Sequence, residues 1–162
     1  MSRESPYLRR ADESLRVALV TGACSGIGQA LAHKLGALGY ELVIVSQRPA
    51  ELAAVGAELA AAYGARVHAI VLDLARPDAA EELELATQAR GLAVDILVNN
   101  AGFFFFGEAA DAPLPRARAM LELHVVTPSL LCSRFARQMR ARRRGHILIV
   151  SSLSACRDFP GI

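Results

Sequence analysis

The strongest constraint on the fold is a regular alternation of two kinds of segment along the chain. Short runs rich in β-branched residues are separated by alanine-, leucine- and glutamate-rich stretches of helical length. Such runs are typical of buried strands, and strands joined by helices must pair in parallel. Right-handed crossovers then favour an α/β fold with a doubly wound parallel sheet. The predicted strands are 17–20, 42–45, 67–72, 94–98 and 146–150, and the predicted helices are about 26–39, 50–63, 77–90 and 113–143.

The length of 162 residues fits one domain, and a hydrophobic content of 53% excludes disorder as the overall state. Residues 1–14 are polar and are predicted to be a flexible N-terminal extension. Residues 15–162 are predicted to form the domain. Pro128 should kink or split the last predicted helix, because proline has no backbone N–H to donate.

Charge and cysteine content point to no macromolecular partner. The net charge of +2 is too small to indicate nucleic acid or an anionic membrane, and the arginines of 134–144 suit the end of a helix. Cys24, Cys132 and Cys156 fit neither a disulfide framework nor a zinc ribbon, so no metal site is expected and a reducing compartment is favoured. No apolar run approaches the roughly 18 residues of a membrane span, so we expect a soluble, cytoplasmic protein.

A glycine-rich turn, Thr21-Gly22-Ala23-Cys24-Ser25-Gly26-Ile27-Gly28, joins the first strand to the first helix. Gly22 can leave the strand at positive φ, Gly26 lets the main chain approach a pyrophosphate, and Gly28 permits close packing of helix on strand. The N–H groups and dipole of the helix would face the anion. Glycines alone leave a purely structural turn equally open.

Two further motifs follow later strands: Asp73 after the third, and Asn99-Asn100-Ala101-Gly102 after the fourth. Together with the glycine turn, they resemble the short-chain dehydrogenase/reductase family from about residue 15 to the last residue. The resemblance implies a Rossmann-type sheet of strand order 3-2-1-4-5 that lacks the family's last strands. The cofactor would lie at the switch between strands 1 and 4.

The resemblance also implies the cofactor-binding residues. The three glycines would cradle the pyrophosphate, Asp73 would bond the adenine, 100–102 would line the adenosine ribose side, and Asn99 would brace neighbouring strands. Seen alone, Asp73 could equally be a solvated strand end and the asparagines turn formers. The full expected set is Thr21, Gly22, Ser25, Gly26, Ile27, Gly28, Ser46, Arg48, Asp73, Leu74, Asn100, Ala101 and Gly102.

The end of the second strand bears on the choice of cofactor. A carboxylate here would bind the ribose 2′-hydroxyl and repel a 2′-phosphate, but the sequence is Val45-Ser46-Gln47-Arg48. Ser46 could donate a hydrogen bond and Arg48 could pair with a phosphate, which favours NADP(H) while leaving NAD(H) possible. Gln47 and Ser25 stand where NADP-preferring members often have a basic residue, and Arg48 could be an ordinary solvated arginine.

The catalytic residues implied by the resemblance are only partly present. Family chemistry transfers a hydride between a nicotinamide and an alcohol or carbonyl substrate, and Ser152 falls where a serine orients the substrate oxygen. The expected Tyr-x-x-x-Lys pair is missing, since the tyrosines are Tyr7, Tyr40 and Tyr63 and the only lysine is in the first predicted helix. We therefore expect an incomplete, inactive form of an NAD(P)(H)-dependent oxidoreductase, homo-oligomeric when complete. The alternative is a non-catalytic nucleotide-binding or regulatory module.

Two features near these motifs stay open. His124 stands where the family usually has an asparagine that holds a water, and it could replace that asparagine or simply lie on a helix face. The run from Phe103 to Phe106 could form an apolar substrate wall, or could serve core or subunit packing.

Overall fold

The computed structural model describes residues 16–107 and 111–153. The predicted extension, Tyr7 and Cys156 lie outside the described residues. The strands are β1 (Val17–Thr21), β2 (Glu41–Ser46), β3 (Val67–Val71), β4 (Val94–Asn99) and β5 (His146–Ile149). The helices are α1 (Gly26–Ala37), α2 (Pro49–Tyr63), α3 (Ala79–Gln88), α4 (Leu114–Leu121) and α5 (Thr127–Ala141), with a π-helical turn at Glu122–Val126.

The five strands form one parallel sheet in the order β3-β2-β1-β4-β5. Leu19 of β1 pairs with Val43 of β2 on one side and with Leu97 of β4 on the other. The chain therefore leaves β1 toward one edge and returns beside β1 for β4. This confirms the doubly wound α/β topology and puts the switch between β1 and β4, where open sheets of this kind form a crevice.

Two apolar layers cover the faces of the sheet. Ala18 and Val20 belong to the core with residues of α1 and α2, whereas Leu19 belongs to the core with Leu83 of α3 and Phe135 of α5. Alternate residues of β1 thus enter opposite cores, as the two-residue period of a strand requires. The continuous apolar runs of β1, β2 and β4 follow from burial on both faces.

The outer strands differ from the sequence expectation, which treated all five as buried. All four residues of β5 are exposed, and Ile70 is the buried residue of β3. Each of these strands lies at an edge of the described sheet and has one neighbouring strand. Apolar composition alone does not distinguish an edge strand from a central one.

The long predicted helix is divided, as Pro128 suggested. α4 passes into the π-helical turn, and α5 begins at Thr127 with the proline in its first turn, where no backbone N–H is needed. The buried Thr127 hydroxyl donates to the carbonyl oxygen of Leu74 at 2.8 Å. This bond fixes the start of α5 against the loop that follows β3.

The arginine-rich end of α5 is bonded to the rest of the fold. Arg134 contacts Glu84 of α3 at 2.6 Å, and Arg144 contacts Asp95 of β4 at 2.8 Å. Burial raises the pKa of Glu84, but hydrogen bonds from Arg134 and Gln138 and the nearby arginine charges outweigh it, so the pKa lies below its ordinary value. No helix in residues 16–107 and 111–153 is long and apolar enough to cross a membrane.

Candidate functional site

A cavity of about 1010 Å³ lies at the carboxyl edge of the sheet. The chain following each of the five strands contributes to its lining, so the sheet order sets the order of residues along it. The β2 and β3 ends contribute 46–48 and 72–74, β1 contributes Gly22, and the β4 and β5 ends contribute 100–102 and 149–152. Three strand spacings separate the β2 end from the β5 end, about 14 Å.

The glycine turn closes the β1 side of the cavity. Gly22 has φ +66°, donates from its N–H to Val45 O at 2.8 Å, and would place a Cβ 2.8 Å from Ala101 Cα. A Cβ on Gly28 would overlap Gly22 O and Asn100 Nδ2. Only glycine lets the turn and α1 approach the β4 end so closely.

The first turn of α1 has the properties of an anion site. Ser25 precedes the helix with extended backbone and makes no side-chain cap, and the first turn contains no acidic residue. Gly26 has φ +55° and nothing within 4 Å of where a Cβ would stand. The first N–H groups of a helix have no partners within it, so they can hydrogen-bond an anion.

Thr21 fastens the β4 end from beneath the cavity. Its hydroxyl is 1% exposed, donates to Val98 O at 3.2 Å, and accepts the N–H groups of Asn100 and Ala101 at 2.9 and 3.0 Å. The side-chain amide of Asn100 donates to the carbonyl oxygens of Thr21 and Gly22 at 3.0 and 3.2 Å. These bonds hold residues 100–102 against the glycine turn.

The expectation for Asn99 was that it braces neighbouring strands; its backbone carbonyl oxygen accepts the N–H of Val150 just past β5, and its side chain bonds to a helix. Its Nδ2 donates to Sγ of Cys132 on α5 at 3.3 Å. Burial raises the pKa of the Cys132 thiol, and the hydrogen bond from Asn99 offsets part of that rise. Cys132 is thus held as a neutral thiol behind β4.

The β2 end holds a guanidinium at the mouth of the cavity. Arg48 donates from Nη2 to Ser25 Oγ at 3.3 Å, and its Nη1 lies 3.6 Å from Glu51 Oε1. The backbone N–H of Arg48 donates to Ser46 Oγ at 3.2 Å. Arg48 therefore bridges the glycine turn and the first turn of α2, and its side chain is 48% exposed. Sequence reasoning missed Glu51, although its position three residues beyond Arg48 in a helical first turn was a usable signal.

At the β3 end, Asp73 lines the cavity and also forms a turn. Its Oδ1 accepts the N–H of Ala75 at 2.9 Å, the Asx-turn pattern. Leu74 beside it is buried. The turn-former and ligand interpretations of Asp73 are thus compatible, because a carboxylate has a second oxygen.

At the β5 end, Ser151 and Ser152 are exposed and line the cavity. The ladder continues one residue past β5, since Val150 N donates to Asn99 O at 2.9 Å. Tyr40 is buried and Tyr63 contacts His33 on α1, so neither tyrosine lines the cavity.

The π-helical turn places His124 at the wall of the cavity. Its Nε2 accepts the N–H of Phe103 at 3.1 Å, and its ring lies against Gly102, where a Cβ would be 3.1 Å from Cε1. π-helical turns recur at functional sites, but nothing in the sequence besides Pro128 indicated one here.

Most of the expected site residues line this one cavity. Thr21, Gly26 and Gly28 do not line it and act from below or beside it. The expected residues that do are Gly22, Ser25, Ile27, Ser46, Arg48, Asp73, Leu74, Asn100, Ala101, Gly102 and Ser152. The lining residues that sequence reasoning did not assign to the site include Gln47, Met120, Leu123 and His124.

Several curated proteins are similar to this chain in sequence. An uncharacterized oxidoreductase of Myxococcus xanthus is 36% identical over 151 residues, covering 93% of this chain and 59% of that protein. The 7beta-hydroxysteroid dehydrogenase of Collinsella aerofaciens is 30% identical over 142 residues, covering 88% of this chain and 53% of that protein. The chain thus spans between half and three-fifths of the length of these relatives.

Two solved structures agree with this chain in fold, and a family model matches most of its length. L-sorbose reductase from Gluconobacter frateurii, complexed with NADPH and L-sorbose, has a TM-score of 0.82 at 30% identity, covering 88% of this chain and 54% of that one. A metagenomic short-chain oxidoreductase in complex with NADP has a TM-score of 0.79 at 38% identity, covering 85% and 62%. The family model described as short chain dehydrogenase matches residues 16–162. The chain therefore belongs to the short-chain dehydrogenase family.

Proposed function

We propose that this chain carries the cofactor-binding site of an NADP(H)-dependent oxidoreductase, an enzyme that interconverts an alcohol and a carbonyl compound, and that the 162-residue chain alone is inactive. The observation that carries the proposal is the arrangement of one cavity. It has Arg48 at the β2 end, an uncapped helix N-terminus at its centre and Ser152 at the β5 end. NADP(H) needs a cation for its 2′-phosphate, an anion site for its pyrophosphate and a reaction centre beside its nicotinamide, in that order.

The residues present fit the cofactor. Gly22 and Gly28 let the glycine turn and α1 pack closely against the β4 end, and the N–H groups of α1 suit the pyrophosphate. Asp73 lines the cavity and would accept a hydrogen bond from the adenine. Residues 46–48 include no carboxylate to repel a 2′-phosphate, and the two solved relatives described above hold NADP or NADPH.

The chemistry needs a hydride and a proton. The bound nicotinamide supplies or accepts the hydride. Ser152 would hydrogen-bond the substrate oxygen and hold it at the β5 end of the cavity. The free thiols of Cys24 and Cys132 suit a reducing, cytoplasmic compartment. We propose that the substrate is a small molecule and that the whole enzyme is a homo-oligomer.

The experiment is isothermal titration of the 162-residue chain with NADPH and, separately, with NADH. We expect NADPH to bind at least about tenfold more tightly, because a phosphate paired with an arginine forms charge-assisted hydrogen bonds. Equal affinities, or tighter binding of NADH, would contradict the cofactor assignment.

A second candidate is a nucleotide-binding or regulatory module that does not turn over substrate. It is favoured by the position of Tyr40 and Tyr63, neither of which reaches the cavity. Both candidates bind NADP(H), so cofactor titration does not separate them. Nicotinamide absorbance with a panel of alcohols and ketones separates them when it is followed in a version of the chain extended through the downstream codons, because the 162-residue chain is expected to turn over nothing in either case.

A further inference from the structure

The geometry points to an uncharged, bulky, apolar alcohol or ketone as the substrate class accepted beside Ser152. This inference rests on the proposed function, because it concerns the part of the same cavity that the cofactor leaves for substrate. It goes further in stating which substrates the wall formed by Phe103 and Phe104 admits and which it rejects.

The charged side chains of the cavity lie at the end away from Ser152. Among the described lining residues, the formally charged side chains are Arg48 and Asp73, and both lie at the β2 and β3 ends. Arg48 and Asp73 are therefore three and four strand spacings away from Ser152 in the sheet order. A carboxylate or phosphate on a substrate beside Ser152 would lose its hydrating water without pairing with a positively charged side chain among these lining residues. This loss of hydration is strongly unfavourable.

The cavity has an apolar wall on its β4 side. Phe103 and Phe104 line the cavity together with Met120 of α4 and Leu123 of the π-helical turn. The Phe104 side chain is 41% exposed, so it offers a face that a ligand can cover. Burying that face removes apolar surface from water, which favours an apolar partner of comparable width.

Two residues of the aromatic segment, Phe103 and Phe105, are held in place by contacts with the π-helical turn and α4. Phe103 is fixed by the bond from its N–H to His124 and by an edge-on contact with the same ring at 6.1 Å. Phe105 is fixed by the Arg116 guanidinium 4.9 Å from its ring centroid. Because both of its neighbours are anchored to α4 or the π-helical turn, Phe104 has a restricted position beside the cavity. Binding a ligand against it therefore costs little conformational entropy.

Subunit packing is the competing use of this segment. Phe106 is 81% exposed, contacts Phe104 edge-on at 4.9 Å and does not line the cavity, so it is the residue that packing would use. Phe104 borders the cavity and is the residue that a substrate would use. The two roles therefore predict different effects of substituting Phe104.

The test is calorimetry on the chain saturated with 1,4,5,6-tetrahydro-NADP, a cofactor analogue that cannot reduce a ketone and whose nicotinamide ring is uncharged. The probes are decalone, an uncharged bicyclic ketone, and a decalone carboxylate, the same bicyclic ketone with a negative charge. We expect decalone to bind at least about tenfold more tightly than the carboxylate, and Phe104→Ser to weaken decalone about tenfold while affinity for the cofactor analogue stays within about twofold. The matched control is Leu85→Ser on α3, since Leu85 is 55% exposed and does not line the cavity. It should change neither affinity.

Met120→Gln is a second variant that keeps the test decisive if Phe104→Ser does not fold, and it should also weaken decalone. The inference is overturned if the cofactor analogue binds but decalone binds no better than the carboxylate. It is also overturned if Phe104→Ser changes the oligomeric state and leaves decalone affinity unchanged. Failure of the chain to bind the cofactor analogue at all would instead remove the proposed function, and the inference with it.

Discussion

The backbone N–H of Phe103 donates a hydrogen bond to Nε2 of His124 across 3.1 Å. Because an amide N–H can only donate, Nε2 must act as an acceptor, and the proton of a neutral ring then lies on Nδ1. The bond joins the loop after β4 to the π-helical turn. Of the two interpretations of His124 left open by the sequence, the contact supports a helix-face histidine with a local partner, which is the backbone N–H of Phe103.

We predict that His124 is the Nδ1–H tautomer. Nitrogen-15 NMR of histidine-labelled protein at pH 8, where free imidazole is neutral, should show this form for the resonance that disappears in His124→Gln. The chemical shifts of the two ring nitrogens identify the tautomer directly. A ring protonated on Nε2 would contradict the hydrogen bond to Phe103.

We predict that Gly26→Ala weakens NADPH binding by at least about tenfold, because a methyl group would stand where the pyrophosphate approaches the first turn of α1. Gly64→Ala at the end of α2 is the control. Both glycines have similar positive φ, +55° and +62°, with no atom within 4 Å of the Cβ position, so both substitutions strain the backbone alike. Equal NADPH affinities in the two variants, measured by calorimetry, would show that the turn is only structural.

We predict that the pair of Glu84 and Arg134 makes stability depend on pH. The pKa of Glu84 is lowered in the folded chain, so its contribution is present above the ordinary value of 4.5 and is lost as pH falls below it. Glu84→Gln should lower the free energy of unfolding by about 1 kcal/mol at pH 7, and by less at pH 3.5. Urea unfolding at the two pH values measures the difference.

The control for that experiment is Glu82→Gln, because Glu82 lies on the same helix as Glu84. This substitution breaks an exposed ion pair in which Oε2 of Glu82 is 3.1 Å from Nη2 of Arg76. Its effect should be close to zero at both pH values, since exposed ion pairs contribute little. A Glu84→Gln effect that is equally large at pH 3.5 would mean that packing, and not ionisation, is responsible.

We predict no turnover by the 162-residue chain loaded with NADPH. No tyrosine lines the cavity among the described residues, and a positioned general acid is worth roughly 10²–10⁴-fold. Nicotinamide absorbance with a panel of ketones should fall no faster than in a blank without protein. Turnover that Ser152→Ala abolishes and Ser151→Ala spares would show that another group supplies the proton.

Much of the fold follows from the sequence, because the apolar runs and the helix-favouring stretches between them are unambiguous. The predicted starts of four strands, at 17, 67, 94 and 146, match the structure. The exposure of β5 did not follow from the sequence, since edge position depends on strand order and not on composition.

The site was predictable where a motif fixes backbone geometry, as at Gly22 and Gly28. It was less predictable where side chains meet across the fold. The Thr21 hydroxyl joins β1 to β4 across 77 to 80 residues of sequence, and the Arg48 contact with Ser25 spans 23. Such contacts depend on the register of neighbouring strands, which single-sequence patterns do not determine.

Arg48→Ala tests the central claim most directly, with Arg76→Ala as its control. Arg48 and Arg76 have similar side-chain exposure, 48% and 53%, and each pairs with one glutamate, but only Arg48 lines the cavity. The measurement is the ratio of the NADH to the NADPH dissociation constant by calorimetry. We predict that Arg48→Ala lowers this ratio by roughly 10- to 100-fold, the loss of a charge-assisted contact with the 2′-phosphate, while Arg76→Ala leaves it unchanged. An unchanged ratio in Arg48→Ala would contradict the assignment of this cavity to NADP(H).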